Sequence, residues 1–279
     1  MKNIVVISDI HAGCRYGLCP PVIKLDHAGT YTASKYQKIL YKKWVEYWRE
    51  WIPIITKGDD FILVLNGDMV DGSHHGSKTQ ISQNYADQAN IFYKLMEVPL
   101  ANKKLKAIYF IRGTEAHVGK SAEQEEQIAR TINAVPDEDG NFSRYDMWYE
   151  LGDTKSLIHF SHHIGTTSSA AYESTAVFKE LVESYNDAGR WNERPPDCIV
   201  RSHRHRAMII NIPAANGMAY SAVTPGWQLK TPFVWRLGLG RSSQPQIGGL
   251  VIRENTAGYL YVASRTWTLK RSKTVRYGQ

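Results

Sequence analysis

The chain has 279 residues, 43% hydrophobic and 22% charged, enough to bury a sizeable core and ordinary for a soluble globular protein. No apolar run approaches membrane length, and the four-residue run after Lys2 is too short for a signal peptide, so no membrane partner is expected. The formal charge of +7 is unevenly spread: Cys198 to Gln279 holds twelve Lys/Arg and one acid, Glu254, a net +11, against −4 for the first 197 residues.

Such asymmetry suits a polyanionic partner meeting the C-terminal part, although a basic face that merely keeps the chain soluble would read the same way. Three cysteines, Cys14, Cys19 and Cys198, make no even framework and no CxxC pair. Free thiols in a reducing cytoplasm are expected, with a Cys14–Cys19 bridge as the alternative.

Taken in order, Ile4-Val5-Val6-Ile7 predicts a strand buried on both faces, ending in Ser8-Asp9-Ile10-His11. In an extended backbone Asp9 and His11 would share one side, half of a metal site. An irregular Gly/Pro-rich segment over 14–35 follows and is expected to cover the mouth of that site. Tyr36 to Ile52 predicts an amphipathic helix whose Trp44, Trp48 and Trp51 pack the core. Phe61 to Leu65 is a second buried strand, ending in Asn66-Gly67-Asp68-Met69-Val70-Asp71. A helix is expected over Ile81 to Met96. Leu105 to Ile111 is a third strand, running into Arg112-Gly113-Thr114-Glu115-Ala116-His117, with Ser121 and Gln124 as a capping box for the next helix.

Strand, polar turn and helix thus recur three times, which predicts a parallel, right-handed α/β core. Ser156 to Ser161 is a further strand, ending in His162-His163, and Ala170 to Tyr185 a further helix. Ile199 to Arg201 leads into Ser202-His203-Arg204-His205-Arg206. From Ala207 onward only short β-like runs remain, and they predict a second sheet packed on the first. No linker divides the chain, so residues 1–279 read as one domain, with a ligand-bearing α/β part (1–206) and a basic, β-rich part (207–279).

Five strand ends therefore deliver ligand-type residues: Asp9/His11, Asp68, Thr114/Glu115/His117, His162/His163 and His203/His205. Any one of them alone would pass for a surface or hydrogen-bonded residue. Five sets in order predict a site for Mn, Fe, Co, Ni or Zn, since mixed carboxylate and imidazole donors suit these ions better than Mg or Ca.

In order and spacing, Asp9-Ile-His11, Gly67-Asp68-x-x-Asp71, the block after the third strand, the histidine after the fourth and His203-Arg-His205 resemble the calcineurin-like metallophosphoesterase superfamily. The wording ISDIHAG, RGTEAH and SHRHR is also similar to phage and prophage members. The resemblance implies an αββα sandwich of two mixed sheets flanked by helices, holding two divalent transition-metal ions, Mn²⁺ first among them. One ion would be held by Asp9, His11 and His205 and the other by His162 and His203, with Asp68 bridging. Asp71 would support the site without binding metal, and His163 would orient a ligand or the phosphate.

One block departs from the family pattern, which has Gly-Asn-His where this chain has Gly113-Thr114-Glu115-Ala116-His117. A hydroxyl is a poorer ligand than an amide oxygen, so Glu115 is expected to bind the second metal. His117 would then be the acid or phosphate contact, with Thr114 at the substrate and Arg112 or Arg204 assisting on the phosphate. The implied reaction is hydrolysis of a phosphate ester.

The basic tail interleaves Trp227, Phe233, Trp235, Tyr259, Tyr261 and Trp267 with Lys230, Arg236, Arg241, Arg265, Lys270 and Arg271. That pattern favours a phosphodiesterase or nuclease on single-stranded or double-stranded nucleic acid. A small-molecule phosphatase, a cyclic-nucleotide phosphodiesterase and a non-catalytic scaffold stay open.

Overall fold

The computed structural model describes residues 2–269 other than 28, 75, 120, 166–169, 216, 237–243 and 245. Its elements in order are β1 (Asn3–Ile7), β2 (Val22–Lys24), β3 (Thr30–Thr32), α1 (Lys35–Glu46), a π-helical turn (Tyr47–Trp51), α2 (Ile52–Ile55), β4 (Phe61–Asn66), α3 (Tyr85–Leu100), β5 (Leu105–Ile111), α4 (Glu115–Val118), α5 (Glu123–Thr131), β6 (Asp146–Leu151) and β7 (Ser156–Ser161). After a 3₁₀ turn come α6 (Glu173–Trp191), β8 (Cys198–Arg201), β9 (Met208–Ala214), β10 (Gly217–Val223), α7 (Pro232–Arg236), β11 (Gln246–Glu254) and β12 (Leu260–Thr268).

Two five-stranded sheets form the middle of the molecule, in the orders β12-β11-β1-β4-β5 and β6-β7-β8-β10-β9. Within the first, β1, β4 and β5 run parallel, β11 is antiparallel to β1, and β12 is antiparallel to β11. Within the second, β7, β8 and β10 run parallel, with β6 and β9 antiparallel at the edges. Both sheets are therefore mixed. The expected parallel core exists as three strands in each sheet.

Strand β1 shows how the layers are held. Val5 and Ile7 pack with Leu40 and Trp44 of α1 and Phe92 and Leu95 of α3. Ile4 and Val6 point the other way and pack with Phe160 and Val200 of the second sheet. With successive side chains on opposite faces, four branched residues in a row are what a strand between two apolar layers requires. Leu181 of α6 covers the far side of the second sheet against Ile199 and Ala219. The result is the expected helix–sheet–sheet–helix sandwich.

Three expectations need correction. The C-terminal strands do not make a sheet of their own: β9 and β10 extend the second sheet, while β11 pairs beside β1 in the first. Alternation in sequence shows that a segment is a strand but not which edge takes it. Ser121 and Gln124 form no capping box, since α5 opens at Glu123 behind Ala122 at φ 52° with no side-chain cap. The box lies instead at Ser34 and Gln37, opening α1. Predicted helix 81–96 begins at Tyr85, because the Asn84 side chain accepts from the Ala86 N–H and caps it there.

Trp44 and Trp48 are core residues as expected. Trp227, expected in a basic groove, is also fully buried, its ring 4.9 Å from that of Trp44. All three cysteines are buried and unpaired, and burial pushes the Cys14 and Cys19 thiols up to about 12. Among the described residues no helix is long and apolar enough to cross a membrane.

Candidate metal centre

The parallel strands deliver the ligand-type residues to one edge of the sandwich: Asp9 and His11 follow β1, Asp68 follows β4, Thr114 follows β5, His162 follows β7, and His203 and His205 follow β8. Asn66 ties the two sheets together there, its amide donating to the Ser161 carbonyl at 3.1 Å and to Ser202 Oγ at 2.6 Å. Ten described non-glycine residues have positive φ, and five of them are Asp9, His11, Asp68, His203 and His205, at 47° to 70°. Left-handed backbone at such residues costs on the order of 1–3 kcal/mol each and clusters where function demands it. It also corrects the reading of Asp9 and His11 as neighbours on an extended strand, since the backbone of each is left-handed.

Two separate triads stand at this edge, beside a third group, His11, Asp71 and His117, that shares His11 with the first. In one, His205 Nε2 lies 3.2 Å from both Asp9 Oδ1 and His11 Nε2. In the other, His162 Nε2 lies 3.1 Å from Asp68 Oδ2, with His203 completing the group. His162 Nε2 also lies 3.9 Å from Asp9 Oδ1, so the two triads are contiguous. Asp9, His11, Asp68 and His162 are almost wholly buried.

Burial would raise the Asp9 carboxyl, but His205 and His162 hold it down at about 2. Asp68 is likewise held low against burial, chiefly by His162, which is itself raised to about 10 by the Asp68 charge in spite of desolvation. Burial keeps His203 at about 4, a neutral imidazole near pH 7.

These donors fit divalent cations. Asp9 Oδ1 is buried and makes no hydrogen bond although two imidazole nitrogens lie within 4 Å, the arrangement of donors aimed at a shared point. Carboxylate oxygen and imidazole nitrogen are also the donors such ions prefer.

A supporting shell fixes these side chains. His162 Nδ1 donates to the Asn66 carbonyl at 2.7 Å, leaving Nε2 for the site. A Cβ at Gly67, where φ is +85°, would collide with the His162 ring, and one at Gly113 would collide with Asp68. Ser8 donates to Asp9 Oδ2 and joins Thr224 and Ser202 in a buried hydroxyl chain. Asp71 is a hub, with His11 Nδ1 at 3.5 Å, His74 Nε2 at 3.6 Å and the Gln80 amide donating at 3.0 Å. Its carbonyl accepts from His117 Nδ1 at 2.7 Å. Glu125, buried on α5, accepts from the N–H of Met69 at 3.1 Å and of Gly113 at 2.6 Å, the neighbours of Asp68 and Thr114. Burial, and then the Asp68 charge, push Glu125 up to about 7.

The block after β5 differs from expectation. Thr114 Oγ1 lies 3.1 Å from Asp68 Oδ2 and 3.2 Å from His203 Nδ1, inside the second triad. Glu115 begins α4, is exposed and belongs to neither triad. One residue of offset on a helical turn rotates a side chain by roughly 100°, and here it turns Glu115 outward. Arg112 is committed elsewhere, donating to Ser143 at 2.9 Å and pairing with Glu126 at 3.7 Å. Arg112, Glu115 and His163 line a separate cleft of about 240 Å³, while Thr114, His117 and Arg204 line the main one.

Sequence reasoning missed Asn66, His74, Gln80, Glu125 and Gln228, the last donating its amide to Asp71 Oδ1 at 3.5 Å. His74, three residues past Asp71, was visible as a histidine near a ligand block. Glu125 was not, because Glu123 to Gln127 reads as a solvated polar helix.

No family model and no curated protein sequence matches the chain. Among solved structures it is similar to Vps29 of Chaetomium thermophilum, with 13% identity and a TM-score of 0.41 over 96% of this chain and 99% of that one. It is also similar to a 5'-nucleotidase from Candida albicans, with 12% identity and a TM-score of 0.30 over 71% of this chain and 35% of that one. Likeness at this level assigns no activity to the chain.

Proposed function

We propose that the chain is a metal-dependent phosphoesterase of the calcineurin-like type, acting on phosphodiesters, with nucleic acid as the favoured substrate class. The carrying observation is the pair of contiguous triads, Asp9/His11/His205 and Asp68/His162/His203, whose His11, His205, Asp68 and His203 line one cleft. Each would hold one divalent ion, manganese first, with the Thr114 hydroxyl beside the second. The chemistry such ions supply is acidification of water and neutralisation of charge on a phosphate.

The protein's own groups do the rest. Buried, ionised Asp9 and Asp68 fix the cation positions, and the hydrogen bond from His162 to Asn66 sets which ring nitrogen faces inward. His117 is oriented by its bond to the Asp71 carbonyl, and burial holds it at about 4. It is therefore neutral near pH 7 and must gain a proton during the reaction before it can protonate a departing oxygen. Arg204 lies at the cleft wall, where its charge can meet a phosphate oxygen.

With manganese supplied, bis(4-nitrophenyl) phosphate should be hydrolysed faster than 4-nitrophenyl phosphate. Asp68→Asn and His203→Asn should each lower kcat/KM by about 100-fold or more, since even outer-shell changes cost 10–100-fold. Preference for the monoester would move the assignment to a phosphatase, and variants as active as wild type would rule out this site.

A further inference from the structure

The cleft beside the triads is far larger than a phosphate needs, about 900 Å³, and its lining comes from distant parts of the chain. Arg15 and Tyr16 after β1 contribute together with Lys78 and Thr79, the Arg15 N–H donating to the Thr79 carbonyl at 2.8 Å. The segment from Gln228 to Arg236, which includes α7, adjoins them, the Leu229 N–H donating to the Tyr16 carbonyl at 2.8 Å. Six cations line the cleft: Arg15, Lys78, Arg204, Arg206, Lys230 and Arg236. Apart from Asp68 on the floor, Glu173 is the one acid among the described lining residues, and it is paired with Arg206 at 2.6 Å.

Two rings stand among these cations, Tyr16 and Phe233, the latter 56% exposed. Desolvation, and then repulsion from Arg206, pull the Lys230 amine below its usual range. Several cations with few acids call for several phosphates, and exposed rings call for unpaired bases.

We infer that this cleft binds a single-stranded nucleic acid, which passes over the triads along the cations that line the cleft. Phosphates on either side of the scissile one lie against those cations, and an unpaired base stacks on Phe233. The inference rests on the phosphoesterase reading, and it narrows the earlier aromatic set. Trp227 is core, and Tyr259 lies outside the cleft, as does β12, which carries Tyr261 and Trp267. Trp235 packs under Lys230 at 4.4 Å. Arg241, Lys270 and Arg271 fall outside the described residues.

The test is binding of fluorescein-labelled dT8 and rU8 to the full chain in EDTA, by anisotropy across a salt series, with an 8-bp duplex as competitor. The slope of log K against log salt should be about −3 for four phosphates at roughly −0.7 each. The better of dT8 and rU8 identifies the sugar. Lys230→Ala/Arg236→Ala should flatten the slope by about 1.4. Phe233→Ala should weaken binding at least about fivefold, the lower limit for one stacked base. Equal affinity for the duplex, a slope shallower than about −1, or a Phe233→Ala variant that binds like wild type would overturn the inference. Turnover of bis(4-nitrophenyl) phosphate by the manganese-loaded wild type is read separately. If it persists while strand binding fails, only the cleft assignment falls, and its absence would count against the hydrolytic reading instead.

Discussion

Thr114 and Glu115 show how much one position matters beside a metal centre. As donors, carboxylate outranks hydroxyl, and that ranking favours Glu115 when the sequence is read alone. The backbone decides otherwise: Thr114 ends the extended segment after β5 with its hydroxyl on Asp68 and His203, while Glu115 opens a helical turn and faces solvent. Glu115→Gln should therefore retain full metal occupancy by elemental analysis. Thr114→Ala should lose part of the second equivalent, and the reverse pattern would restore Glu115 as the ligand. The histidines and aspartates were legible because each follows an apolar run. Their left-handed backbone was not, since nothing about Asp9 or His205 as a residue type demands a positive φ.

At the scale of elements, α5 does more than cover a sheet. Glu125 holds the N–H groups of Met69 and Gly113 with one buried carboxylate, so a single side chain sets the spacing of the turns after β4 and β5. Glu125→Gln would keep one acceptor and turn an amide donor toward the other N–H. Metal affinity should fall about 10- to 100-fold and stability by about 1–3 kcal/mol. Wild-type values for both, by calorimetric titration and denaturant melts, would show that the staple is idle.

The β6–β7 pair carries a pH effect of its own. His159 stacks on Trp148 at 4.2 Å beside Arg201, and burial, then the Arg201 charge, hold it at about 4. Between about pH 6.5 and 4 the unfolded chain binds this proton and the folded one does not. Stability from this group is present above 6.5 and is lost as pH falls toward 4, on the order of 3 kcal/mol. His159→Gln should make the fall in unfolding free energy over that window shallower by up to one proton; an unchanged slope would contradict this. The element types were legible from periodicity, but Glu125 and the Trp148–His159 stack depend on which helix and which strand come together.

Over the whole molecule, the charge imbalance between the two parts of the sequence does not map onto two bodies. The +11 segment supplies β11 to the sheet centred on β1 and supplies α7 to the lining of the cleft, so its cations join Arg15 and Lys78 from the acidic part there. The two-sheet sandwich was anticipated through the likeness of its ligand blocks. The sheet orders were not, because strand pairing at such sequence distances leaves no local mark on the residues.

The account stands on the two triads each accepting a cation, and anomalous diffraction from crystals grown with manganese tests that most directly. It predicts two peaks about 3.5–4 Å apart, one among Asp9, His11 and His205 and the other among Asp68, His162 and His203. A single peak elsewhere, or none at either triad at saturating manganese, would contradict it.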